Sequence, residues 1–160
     1  MENLQLAGFG KRLVAYLIDG ILIGIVLGII MSVFFGGIFA SMAGSGALDG
    51  TMTEDEAAVT AVAATGGIML FYFIAVVGVI AYEVLMISSA KQGTIGKIAM
   101  KIKVVKEDGS KLSVTDAIIR TIVKSLISGI CMIGFLITLF NKKEQSLHDM
   151  AGKTLVVSAE

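Results

Sequence analysis

Apolar residues run almost unbroken from Leu13 to about Ala40, with neither the strict alternation of a half-buried strand nor the polar stripe of a surface helix. A hydrocarbon core of roughly 30 Å takes about 20 helical residues, so this run predicts a tilted membrane span over 13–40, preceded by a short N-terminal segment, 1–12. A signal peptide is the competing reading. Its apolar core would hold about 7–15 residues and would not ordinarily carry an aspartate, yet Asp19 lies inside the run. The stretch "SMAGSGALDGTM" at 41–52 is small and Gly-rich and predicts a loop, and "TEDE" at 53–56 has capping-box spacing, with Thr53 at the N-cap and Glu56 reaching back. A helix from there to Ser89 would be about 54 Å long. Either its first turns project beyond the bilayer or Gly66-Gly67 interrupts it before a span of 67–89. The expected organisation is a loop over 41–60 and a second span over 61–89.

Beyond Ala90 the period changes. Lys and apolar residues alternate around Ile98, Met100, Ile102 and Val104 before Asp108-Gly109, which predicts a strand and a hairpin turn within a basic segment, 90–116. The tail, 141–160, ends in "GKTLVVSAE", a second β-like stretch, and a small sheet joining the two would leave neither edge bare. "SVTD" at 113–116 is another capping box. Asp116, Arg120 and Lys124 then follow at i, i+4 spacing, with Ile118, Ile119, Ile122, Val123 and Leu126 on the other side, predicting an amphipathic helix at the membrane surface. After Gly129 the apolar run lasts only to Phe140, about 18 Å of helix, a length that suits a re-entrant segment. A continuous 121–140 span, with Lys124 snorkelling and the tail on the far side, is the alternative.

Composition fixes the class. The chain is 56% hydrophobic and only 16% charged over 160 residues, with neither Pro nor Trp, where a soluble domain is nearer half apolar and about a quarter charged. Its mean hydropathy is +0.89. Net charge is zero, but all of the 13 basic residues except Lys11 and Arg12 lie at Lys91 or beyond, while Asp49, Glu54, Asp55 and Glu56 cluster between the apolar runs. Positive-inside logic then puts the N-terminus, the basic segment and the tail in the cytoplasm and the acidic loop outside, as in a multipass protein of the cell membrane. One Cys and one His leave no intramolecular disulfide and no ordinary zinc site. No cofactor and no nucleic-acid partner are expected; the lipid bilayer is.

Two charges in the first run stand out. Seven residues separate Arg12 from Asp19, so they share a helix face about 10 Å apart along the axis, with Tyr16 between them. Glu83 lies six residues before Ser89, roughly 9 Å in from the end of the second span and thus at a depth similar to Asp19. Two carboxyls close together in low dielectric do not both ionise easily, so Asp19 and Glu83 suggest a shared site for a proton, Na⁺ or K⁺. The plainer readings are a buried ionic staple, Asp19 pairing Arg12 or Arg120, and separate, solvated carboxyls. Gly20, Gly24 and Gly28 form a small-residue stripe suited to close helix approach, either to the second span or in a homo-oligomer. "GTIGKIA" lacks the first Gly and the Ser/Thr of a phosphate loop. His148 and Asp149 are neighbours with no marked nucleophile nearby, so no catalytic residue and no enzyme activity is expected. Asp149 is expected to cap or salt-bridge the tail against the Lys-rich segment. The six lysines from Lys91 to Lys111 either attract anionic headgroups or form a solvated face.

Three blocks, "RLVAYLID" (12–19), "GTIGKIAMKIKVVKEDGSKLSVTDAIIR" (93–120) and "QSLHDMAGKTLVV" (145–157), closely resemble the RDD family of bacterial membrane proteins, named for one Arg and two Asp. The resemblance matches Arg12 and Asp19 to the Arg and Asp of the family's first helix and makes Asp149 the second Asp. It implies a suspected role in transport, with cation/proton antiport credited to some members, while members attached to other proteins suit an accessory role. The fold expected is an all-α multipass membrane protein: two transmembrane helices, a third hydrophobic helical region over 117–140, re-entrant or spanning, and a small cytoplasmic β-hairpin. The function expected is transport of a small cation or proton through intramembrane carboxylates. The alternative is a non-transporting adaptor or regulator of a partner membrane protein.

Overall fold

The structure is a computed structural model that describes residues 5–128 and 145–159. Its elements are α1 (Phe9–Gly44), α2 (Glu54–Ser88), α3 (Ile95–Ala99), β1 (Ile102–Lys106), α4 (Val114–Ser128), α5 (Leu147–Ala151) and β2 (Thr154–Ser158). α1 and α2 are each long and apolar enough to cross a membrane. α2 begins inside the stretch expected as loop 41–60 and runs through Gly66-Gly67 without a break. The capping box sets that start: the Thr53 N–H and hydroxyl both donate to Glu56 Oε2, at 2.9 Å each, and the Glu56 N–H returns to the Thr53 hydroxyl.

The chain divides into two compact units, Leu22–Gly78 and the remainder, Met1–Ile21 with Val79–Glu160. Within Leu22–Gly78, Phe34 stacks on Phe71 with centroids 5.1 Å apart. A Cβ on Gly67 would come 3.2 Å from the tip of the Phe34 ring, so glycine permits the helices to close there.

The other unit holds the buried core. Ala7, Ala15, Val84, Ile87, Ile102, Val104, Leu112, Ala117 and Val156 form one apolar cluster, and Val105, Leu155 and Val157 a second. β1 pairs antiparallel with β2, Ile102 opposite Ser158 and Lys106 opposite Thr154. On its other edge β2 receives the Ala7 N–H at Val156 O and gives the Ser158 N–H to Gln5 O, so the N-terminal segment covers it.

This replaces the expected hairpin. The turn forms at Asp108-Gly109, with Gly109 at φ +83° and the Ser110 N–H and hydroxyl both donating to Asp108. The chain then enters α4 instead of a second strand, because Ser113 and Asp116 close their capping box. The strand also starts later than expected: Ile98 lies in α3 and Met100 caps it. Ile95 and Ile98 at i, i+3 fit a helical turn as well as Ile98, Met100 and Ile102 fit a strand, and so short a run does not discriminate. The expected re-entrant or spanning stretch over 129–140 lies outside the described residues.

Candidate functional site

One face of α1 organises the unit that holds the core. Arg12, Tyr16 and Asp19 share that face, and each engages a different element. Arg12, 5% exposed, donates from Nε to the Ala7 carbonyl at 2.7 Å, from Nη1 to Asp149 Oδ2 at 3.1 Å and from Nη2 to the Val156 carbonyl at 3.2 Å. Tyr16 lies under the Lys124 ammonium, 5.9 Å from the ring centroid. Asp19 accepts the Thr94 hydroxyl at 2.5 Å and the Gly96 N–H at 2.7 Å. It caps the start of α3 from a distant helix, and the Thr94 side chain, turned to Asp19, does not cap its own helix. Gly96 has to be glycine: a Cβ there would meet the Ala15 carbonyl and come 2.9 Å from Asp19 Cγ. The Ile95 N–H donates to Tyr82 Oη at 3.1 Å, tying α3 to α2 as well.

A second group centres on Asp149 and Glu83. Arg120, 1% exposed, donates from Nε and Nη2 to Asp149 Oδ1 at 3.1 and 2.6 Å. Asp149 also closes a capping box on α5, accepting the Ser146 hydroxyl at 2.6 Å and the Ser146 N–H at 3.2 Å. Arg120 Nη1 is buried without a hydrogen bond among the described residues and lies 3.7 Å from Glu83 Oε1. Lys124 donates to both oxygens of Glu83, at 2.7 and 2.8 Å, and Lys97 Nζ stands 3.8 Å from Oε1. Removing one partner from such a buried set leaves an uncompensated charge, which costs far more than the pairing gains.

Protonation follows from this packing. Burial alone would raise the Asp149 carboxyl, but Arg120 chiefly, with Ser146 and Arg12 adding, holds it well below the usual carboxylate range. Burial and then the Arg120 charge lower Lys97 to about 7 and His148 to about 3. His148 is therefore neutral at pH 7, and its Nε2, 3.6 Å from Asp149, makes no ion pair there. At the surface, Lys106 bonds Asp116 at 2.7 Å and, with the Ser113 hydroxyl and N–H, lowers it to about 2.

The residues singled out in the sequence thus fall into two groups. Arg12, Arg120 and Asp149 meet directly, with Glu83 next to them, while Asp19 bonds to α3 and the Glu83 oxygens go to Lys124, Lys97 and Arg120. Asp19 and Glu83, expected to share a site, each have partners of their own: cations from α3 and α4 reach Glu83, while an N–H and a hydroxyl reach Asp19. Asp149 bonds the two arginines and not the lysines of the basic segment: arginine's planar fork suits a buried carboxylate. Gly20, Gly24 and Gly28 have nothing within 4 Å of where a Cβ would stand. Thr94, Gly96 and Lys97 went unrecognised as site residues; the signal was "GTIGK" itself, whose glycine and hydroxyl serve a carboxylate instead of a phosphate.

The model of the RDD family matches residues 6–153. The chain is similar to "Uncharacterized protein YxaI" of Bacillus subtilis (strain 168), 38% identical over 151 residues that cover 94% of this chain and 96% of that protein. No solved structure matches. An arginine at the head of one apolar helix, an aspartate within it and a second aspartate in the tail, held on a helical membrane-type framework, belong together: the chain is a member of the RDD family.

Proposed function

We propose that this membrane domain takes part in moving a small cation or proton, and that a proton is handled where Lys97 and Lys124 converge on Glu83. The single observation that carries the reading is an imbalance of charge. Among the described residues, Lys97, Arg120 and Lys124 all converge on one carboxylate, Glu83, in largely buried surroundings. Surplus positive charge in low dielectric is relieved when a lysine sheds a proton, whereas an arginine cannot do so. Lys97 is the group placed to do it: it faces Glu83 on α2, Arg120 and Lys124 on α4 and Asp149 on α5, and its pKa is about 7. A bare Na⁺ or K⁺ would have to displace Lys124 from both oxygens of Glu83, so the geometry favours H⁺ as the ion handled here. The basic unit faces the cytoplasm in this reading, as its lysines favour.

Proteoliposomes carrying a pH-sensitive dye and a Na⁺ or K⁺ gradient test it. Wild-type protein should move protons, and Glu83→Gln, Lys97→Met and Lys97→Arg should each cut the flux at least tenfold while remaining monodisperse. Lys97→Arg decides, since it keeps the charge but holds its proton. Undiminished flux in both Lys97 variants would overturn the assignment. The adaptor reading rests on the open side of α1 at Gly20, Gly24 and Gly28, and it expects no flux and a stoichiometric partner recovered in mild detergent.

A further inference from the structure

α4 is amphipathic in the reverse sense to a helix on a water-soluble domain. Its charged side points inward: Ala117, Arg120 and Thr121 are at most 1% exposed. Its apolar side points out: Ile118, Ile119 and Ile122 are 40, 47 and 44% exposed and Leu126 68%. Arg120 and Lys124 also fix the level at which α4 sits, because both reach Glu83, five residues before the end of α2 and so about 7 Å along the helix from it. α3 is fastened nearby, through Gly96 to Asp19 and through Ile95 to Tyr82, and it too turns Ile95 and Ile98 outward.

We infer that α3 and α4 form a collar seated in phospholipid, in the upper acyl-chain layer of the leaflet that contains Glu83. Two observations select lipid as the occupant. The outward isoleucines continue the apolar surface that α1 and α2 present at the same level, where Leu17 and Leu85 are 52 and 66% exposed. Lys91 and Lys101, which have no acidic partner among the described residues, rim a groove of about 510 Å³ floored by Ile98 and Ile102. Cations above an apolar floor match a phosphate above its acyl chains, and would be misplaced against a second copy of the same basic face. This inference stands apart from the ion-handling reading and survives its failure.

The chain has no Trp, so single substitutions report cleanly. Ile122→Trp and Leu126→Trp proteins are reconstituted into vesicles whose lipids carry bromine at graded depths along the acyl chain, with Lys111→Trp as the aqueous reference. Both outward positions accept a large side chain without repacking the core, and Ile118→Trp serves if either variant misfolds. The result expected is at least twofold quenching of both by the shallowest bromines, less by deeper ones, and quenching of Lys111→Trp by iodide alone. Iodide access to Ile122→Trp and Leu126→Trp without bromine quenching would overturn the inference, placing the face in water. Shielding from both quenchers would overturn it in favour of a protein partner, and strongest quenching by bromines at the chain ends would overturn the placement in the upper layer.

Discussion

Between Leu22 and Gly78 the chain carries no Lys, Arg or His, and its acids gather at Asp49, Glu54, Asp55 and Glu56. That unit has no buried apolar core among the described residues; Val33, Phe39, Tyr72 and Phe73 are each more than 60% exposed, and ring contacts such as Phe34–Phe71 hold the two helices. The other unit buries Arg12, Glu83, Arg120 and Asp149 and turns isoleucines outward. Hydrocarbon is as apolar as leucine, so burying apolar side chains there gives helices little reason to associate. What cannot stay exposed is charge. The unit that buries charge must close around it, and the unit whose four acids all stay exposed need only fit.

Breaking the charge network should therefore have the largest effect. Asp149→Asn takes from Arg12 and Arg120 their shared carboxylate and should cost about 3–5 kcal/mol. Hydrogen exchange in detergent should show protection lost around α4, α5 and β2 but kept over Leu22–Gly78; equal loss in both would erase the distinction. The pH dependence comes next. Lys97 has a folded pKa of about 7 against an ordinary 10.5. The unfolded chain binds the extra proton between those values, so stability should rise with pH from about 7 to 10.5, by on the order of a few kcal/mol. Lys97→Met should flatten that limb in a thermal-melt series. His148, about 3 when folded against 6.5, should give a second rise between those values, removed by His148→Gln. Asp149 has a depressed pKa, so its contribution is complete above the usual carboxylate range and is lost as the pH falls below that range.

Gly96→Ala should cost about 1–3 kcal/mol, because a backbone carbonyl and the Asp19 carboxyl must both move. Its melting temperature should fall even though alanine favours helices. The smallest effect belongs to Phe34→Ala. Lipid refills the space, so only the ring contact is lost, about 0.5–1.5 kcal/mol, read as faster exchange within Leu22–Gly78 alone. A loss as large as that of Asp149→Asn would mean that this unit, too, depends on a specific core.

Much of the framework was legible in local pattern. The two apolar runs marked α1 and α2, and the Thr53 and Ser113 capping boxes marked helix starts to the residue, since each needs only neighbours three positions apart. The pairing of β1 with the tail followed from two β-like stretches that needed each other. The site was legible only in part. Heptad-like spacing put Arg12, Tyr16 and Asp19 on one face, but their partners lie far along the chain: Thr94 is 75 residues from Asp19 and Lys124 is 41 from Glu83. Periodicity carries no information about such choices. The three-dimensional placement of α3 decides them, and α3 was itself hidden in a pattern that also suits a strand.

The span of chain between Arg12 and Asp149, 137 residues, also sets a clock. At about 5–20 residues per second, synthesis leaves on the order of ten seconds between the two. Through that interval the arginine heads the first hydrophobic segment without its aspartate, and water or headgroups have to solvate it. Closure of the tail onto the arginines is thus a late event in biogenesis, and a ribosome stalled before Asp149 would leave a nascent chain whose first helix still lacks its clasp.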